Sequence, residues 1–202
     1  MPEPVALPNV EPVLSVQDLH VTFRVDEGTI RAVDGVSFDL RPGRTLGVVG
    51  ESGCGKSVTA RAILRIEDKH ATIDSGRMLL RRDGGTVDLA ALPKGGPELR
   101  GIRGRDIGLV FQEPMTSFSP VHTVGDQIVE AVRLHFPLDR KAARAKAIEQ
   151  LVQVGTPHPE FILGQYAWEL SGGLRQRAMI AMALGCGPSV LIADGPTTAL
   201  DV

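Results

Sequence analysis

Cysteine is scarce in this chain of 202 residues: Cys54 and Cys186 are its only two, with no spacing that suggests a disulfide framework or a zinc site. That usage fits a reducing cytosol. Charge of one sign is lacking too, since the formal net charge is -2 and the arginines are spread among acidic residues, which leaves no electrostatic footprint for nucleic acid. No stretch reaches the ~18–20 apolar residues that cross a bilayer, so any membrane association is expected through a partner. The leader MPEPVALPNVEPV, residues 1–13, has neither the positive start nor the continuous apolar run of a signal peptide and reads as flexible. No fixed-period repeat or low-complexity tract is found, and His20, His70, His122, His135 and His158 lie far apart without ligand spacing.

What is present suits a folded domain, because 43% hydrophobic residues over this length can bury a sizeable core. Leu14–Phe23 and Ala32–Leu40 read as strands of an antiparallel hairpin turning at Asp26, Glu27 and Gly28. Thr45–Val49 (TLGVV) reads as a parallel strand buried on both faces, followed by a glycine-rich turn and a helix over Ser57–Leu64. Ile107–Phe111 and Val190–Ala193 are two further buried runs, ending on the polar residues Gln112 and Asp194. Between them Thr123 is expected to cap a helix with Val124, Ile128, Val129 and Val132 on its inner face. Asp139 caps a second, with Ile148, Leu151 and Val152 inward and Gly155 as a left-handed stop. The expected architecture is α/β: a phosphate-loop core with an N-terminal antiparallel β subdomain and a helical subdomain inserted at about residues 117–170.

Gly50–Ser57 reads GESGCGKS, the G-x-x-x-x-G-K-[ST] loop, and it stands between a predicted strand and a predicted helix. Gly50, Gly53 and Gly55 let the backbone curl so that its N–H groups point at phosphate oxygens, with Glu51, Ser52 and Cys54 lining the same turn. The positive helix end adds attraction. Lys56 is expected on the β- and γ-phosphates, and the Ser57 hydroxyl on Mg²⁺. A plain glycine turn would not need the Lys-Ser pair.

A second element, LSGGLRQR at Leu170–Arg177, pairs a capping Ser171 with Gly172 and Gly173, whose amides stand open at another helix start. With both elements in view the chain resembles the nucleotide-binding domain of ABC transporters over nearly everything from Leu14 to Val202. The resemblance implies a head-to-tail homodimer, or a heterodimer with a second ATP-binding subunit, with ATP held between the loop of one subunit and the Ser171–Gly173 start of the other. It implies integral membrane permease subunits as partners, no nucleic acid, and a peripheral place on the cytoplasmic face of the inner membrane. Gln112 resembles the residue that approaches Mg²⁺ and the attacking water, Asp194 the aspartate that holds Mg²⁺, and Asp201 a nucleotide-contacting residue of the D-loop. Phe23 is a candidate for stacking on adenine and equally a core residue. The run from Glu98 to Pro120, ELRGIRGRDIGLVFQEPMTSFSP, is similar to the dipeptide, oligopeptide and nickel importer branch, which implies ATP-driven peptide uptake.

Departures matter as much. Where the family carries its catalytic glutamate this chain has Gly195, which cannot accept a proton, so hydrolysis is expected to be impaired while ATP binding is kept. The chain stops at Val202, just past Ala199-Leu200-Asp201, so the family's switch histidine and its C-terminal part are expected to be missing. Trp168 and Leu174 replace the branch's usual histidine and methionine without touching the proposed chemistry. Two other readings are a catalytically silent regulatory subunit, favoured by Gly195, and a DNA-repair ATPase of ABC type, disfavoured by the short, heptad-free segment between the motifs.

Overall fold

The computed structural model describes residues 10–26, 28–113 and 117–195. These group into two compact units, one within Met1–Leu99 and the other within Arg100–Val202.

The first unit is built on a four-stranded antiparallel sheet in the order β2-β1-β3-β4. Strands β1 (Leu14–Val25) and β2 (Gly28–Leu40) form the expected hairpin, with Val25 opposite Gly28. Leu14, Val16, Leu19 and Val21 of β1 are buried, as are Met78 and Leu80 of β3 (Ala71–Arg82). Strands β3 and β4 (Gly85–Asp88) were not anticipated from the sequence. Their signal was the Asp83-Gly84 pair, a two-residue hairpin loop in which Gly84 takes φ 101° while Arg82 faces Gly85. Helix α1 (Lys56–Ile63) packs on β1 and β2 and ends with Ala62, Ile63 and Leu64 buried. Just beyond it Arg65, at φ 54°, donates from one guanidinium nitrogen to the carbonyls of Leu89, Ala90 and Leu92. The buried Glu67 carboxylate pairs with Lys94 at 3.2 Å, so the chain after α1 is bolted to the loop after β4.

Thr45–Val49 departs from expectation. It joins neither sheet among the described residues, and Leu46, Val48 and Val49 stand 43%, 58% and 92% exposed. An apolar run states a preference for burial, but a parallel strand is buried only where neighbours flank it on both sides.

In the second unit β5 (Ile107–Val110) pairs with β6 (Val190–Ala193) in parallel, Ile107 opposite Val190 and Val110 opposite Ala193. Short helix α2 (Pro97–Ile102) spans the division between the units in sequence. The other helices are α3 (Val124–His135), α4 (Arg140–Gln153), α5 (Pro159–Leu163) and α6 (Gly172–Leu184), with a 3₁₀ turn over Ala167–Glu169. Thr123 and Asp139 cap α3 and α4 by accepting from the amides of Asp126 and Ala142, which satisfies N–H groups that a helix start leaves unpaired. Gly155, at φ 71°, follows α4 as the left-handed stop. One core runs from Val110 of β5 through Ile128, Val132, Ala147, Leu151 and Leu163 to Met179 of α6.

Two burial expectations are corrected here. On α4 the inner stripe is Ala143, Ala147 and Leu151, while Val152 is 58% exposed. The four-residue spacing of the alanines sets the inner face, and their small size hides it in the sequence. On β6 only Val190 is buried, and Leu191 lies 42% exposed. Leu151→Ala is therefore expected to cost about 2–5 kcal/mol, whereas Val152→Ala changes stability by less than about 1 kcal/mol. Urea unfolding of the two variants checks this, and equal losses would return Val152 to the core.

Candidate functional site

The phosphate loop hangs in the open before α1. Glu51, Ser52, Gly53 and Cys54 are exposed, and Gly55, Lys56 and Ser57 are half-buried as the chain turns into the helix. Gly53 and Gly55 take φ 82° and 92°, values that side-chain-bearing residues rarely adopt. Space demands glycine as well: a Cβ on Gly50 would lie 2.6 Å from the Cys54 sulfur, and one on Gly55 would run into the Ala32 carbonyl oxygen of β2. The loop is thus seated on the hairpin, a support the motif alone does not reveal. Lys56 folds back over it, its Nζ donating to the carbonyls of Gly50 at 2.8 Å and Glu51 at 2.6 Å, with the Cys54 sulfur at 3.4 Å. A curled glycine backbone with an ammonium across its mouth fits a polyphosphate.

The strand ends of the second unit bring three predicted residues together. The Asp194 amide donates to the Val110 carbonyl at 2.9 Å, which locks the end of β6 beside the end of β5. Gln112 lies two residues past Val110. Its Cγ is 3.1 Å from where a Cβ on Gly195 would be, and Gly195 takes φ 60°. Gln112 and Glu113 are both exposed, and Asp194 is half-buried. Among the described residues no group of three or more His, Cys, Asp or Glu forms a metal cage. Magnesium held mainly through phosphates needs none, since it is commonly bound by one or two protein oxygens, substrate phosphates and water.

The third predicted element opens α6. Ser171 is its N-cap, and its hydroxyl accepts from the Leu174 amide at 3.4 Å. A Cβ on Gly172 or Gly173 would meet nothing within 4 Å, so the first turn faces open space. Arg175 holds this start in place by donating from Nε to the Leu170 carbonyl at 2.8 Å. Before it, Trp168 stacks on Tyr166 with centroids 5.7 Å apart, and Trp168 is 56% exposed. Phe23 is half-buried in β1, paired in register with Ile30 and Ala71. Asp201 and the end of the ADGPTTALDV run lie outside the described residues, as do residues 1–9 of the leader.

Comparison with known proteins agrees with this geometry. A family model described as ABC transporter matches residues 33–198. The chain is 51% identical over 194 residues to the dipeptide transport ATP-binding protein DppD of Bacillus subtilis (strain 168), covering 96% of this chain and 56% of that protein. It is 49% identical over 191 residues to the glutathione import ATP-binding protein GsiA of Shigella flexneri, covering 94% of this chain and 30% of that one. The chain therefore spans about half the length of DppD and less of GsiA. Among solved structures, the dimeric bacterial ABC transporter cassette MJ0796 superimposes with a TM-score of 0.79 at 26% identity, over 93% of this chain and 76% of that one. A post-hydrolysis dimer of the same cassette, bound to ADP and Pi, gives a TM-score of 0.80 at 25% identity, over 93% of this chain and 76% of that one. A phosphate loop before α1, a serine-capped double-glycine start of α6 and the sequence match together show that this chain belongs to the ABC transporter family and has its α/β phosphate-loop fold.

Proposed function

We propose that the chain is the ATP-binding subunit of a peptide importer, one that binds Mg·ATP and hydrolyses it slowly. The observation that carries this is the presence in one chain of two exposed helix starts built for anions, Gly50–Ser57 before α1 and Ser171–Gly173 at α6. A helix start with free amides favours negative charge, and two such starts per chain give a head-to-tail pair two complete sites. Peptide import is supported by the 51% and 49% identities to proteins named for dipeptide transport and glutathione import. Among the described residues no helix is long and apolar enough to cross a membrane. Permease subunits are accordingly the proposed partners, with the chain at the cytoplasmic face of the inner membrane.

In the proposed mechanism the loop amides and Lys56 bind the phosphates. Ser57, Gln112 and Asp194 are the proposed magnesium contacts, and Asp201 is a proposed nucleotide contact. Bound magnesium would neutralise charge on the phosphates. Gln112 would hold the attacking water by hydrogen bonding, and because Gly195 has no side chain to take up its proton, the pair would stay closed on ATP for longer before each turnover. That same glycine favours a second reading, in which the chain is the catalytically silent half of a heterodimer that binds ATP to regulate an active partner.

Light scattering after gel filtration tests the shared claim. With Mg·ATP the chain is expected to shift from monomer to dimer, and Ser171→Arg is expected to abolish the dimer while leaving nucleotide binding within about threefold. A chain that binds Mg·ATP and stays monomeric, or a dimer indifferent to Ser171→Arg, overturns the reading.

A further inference from the structure

Three residues ahead of the Ser171 cap stands the chain's only tryptophan, and the fold holds it out of the core. In the 3₁₀ turn over Ala167–Glu169, residues three apart eclipse, so Ala167 and Leu170 share a buried face while Trp168 stands on another, 56% exposed. The turn is fixed at several points. The Tyr166 amide donates to the Glu169 carboxylate at 2.7 Å, the Val124 amide donates to the Gln165 carbonyl at 2.8 Å, and Arg175 reaches the Leu170 carbonyl from α6. The Tyr166 ring backs the indole in an offset stack, 13° from parallel. A supported aromatic surface is therefore presented to solvent on the turn that leads straight into the open helix start at Ser171–Gly173.

We infer that Trp168 of one copy stacks on the purine base of the nucleotide held by the phosphate loop of the other, so that the Ser171–Gly173 start grips the phosphates and the indole grips the base. This rests on the functional reading above, in which two copies close head to tail on Mg·ATP. Three residues of chain span at most about 11 Å, a reach comparable with that from the terminal phosphate of ATP to its base. An anion-binding helix start selects the phosphates, and an aromatic platform takes the base, because every base has a π-face. An apolar protein segment would cover an indole equally well, but it has no use for the anion site three residues away, whereas a nucleotide uses both. The consequence is a closure that reads the base: phosphates alone close the pair less tightly than ATP does. Nucleotide binding by each copy's own loop does not draw on its own Trp168.

Because no other tryptophan is present, emission from the unaltered chain reports on Trp168 alone. Mg·ATP is expected to quench that emission as the pair forms, with a dependence on protein concentration that follows the dimer seen by light scattering. Saturating magnesium tripolyphosphate, which carries no base, is expected to give no quenching and a dimer about 100-fold weaker, about tenfold for each of two bases. Trp168→Ala is expected to weaken the Mg·ATP dimer by the same factor while leaving ATP binding to the monomer within about twofold, and Trp168→Phe to restore the dimer to within about threefold of the wild type. A Trp168→Ala dimer as tight as the wild type overturns the inference. So does emission that shifts to the blue on dimerisation without quenching, which would give the indole a protein neighbour in place of a base. Quenching by Mg·ATP in Ser171→Arg, where the pair does not form, would place the base in the same copy and overturns it as well. A wild-type chain that binds Mg·ATP and stays monomeric overturns the functional reading itself, and the inference with it.

Discussion

Steady-state phosphate release from saturating Mg·ATP is expected to run about 10²–10⁴-fold slower than in a cassette carrying glutamate after its strand-end aspartate. General-base assistance is worth roughly that factor, or about 3–5 kcal/mol of barrier. Position 195 offers only a backbone at φ 60° with the Gln112 side chain across it. A neutral amide can orient water but takes up no proton near neutral pH. Glu113, the residue after Gln112, carries a carboxylate exposed beyond the end of β5, so Glu113→Gln checks whether it substitutes. Its residual rate is expected to match the wild type within about twofold. Gln112→Ala, in contrast, is expected to lower that residue of activity further, because the water loses its only proposed anchor. Phosphate release at the rate of a glutamate-bearing cassette would show that a proton acceptor reaches the site from elsewhere.

Binding and turnover are expected to be separable in this chain, because the residues proposed for each lie in different parts of it. The loop amides belong to residues 50–57, before and within the start of α1, while Gly195 follows β6 in the other compact unit. The lack of a carboxylate at 195 is therefore expected to leave the phosphate loop unaltered, so that the chain remains a nucleotide-responsive part even where it turns over little ATP.

The sequence made the site's chemistry plainer than its supports. GESGCGKS and LSGG are local devices: the glycines are required by backbone angles and amide exposure, both set within a few residues, so the motif carries the geometry with it. Caps were legible for the same reason, since Thr123, Asp139 and Ser171 each accept from an amide three residues on. What the sequence hid was non-local. The seat of Gly55 against Ala32 joins residues 23 apart, and the approach of Gln112 to Gly195 joins residues 83 apart. No short pattern marks either. Thr45–Val49 shows the converse, for its apolar run is a sound statement of what those side chains prefer, yet burial also needs partner strands. Ala143 and Ala147 escaped notice because small residues give little hydrophobic signal, although their spacing places them inward with Leu151. Strand β3 was masked by its own charges, Asp74, Arg77, Arg81 and Arg82, which break up the apolar pattern around the buried Met78 and Leu80.

Lys56→Ala is expected to weaken nucleotide binding by about 30- to 1,000-fold. An ammonium bridging two phosphates makes charge-assisted hydrogen bonds worth about 1.5–3 kcal/mol each, so the gross contribution is about 3–6 kcal/mol. That ammonium donates to the Gly50 and Glu51 carbonyls at 2.8 and 2.6 Å. Giving up those two bonds offsets roughly 1–2 kcal/mol, which leaves a net of about 2–4 kcal/mol. The same exchange makes a further difference between ligands. A nucleoside diphosphate engages the ammonium through one phosphate fewer, so the variant is expected to lose about tenfold less affinity for it than for the triphosphate. Titration of a fluorescent ATP analogue and its diphosphate into both proteins measures this, with Arg65→Lys as the control that leaves the loop residues in place. Equal losses for the two nucleotides would mean that Lys56 closes the loop on itself and never reaches the terminal phosphate.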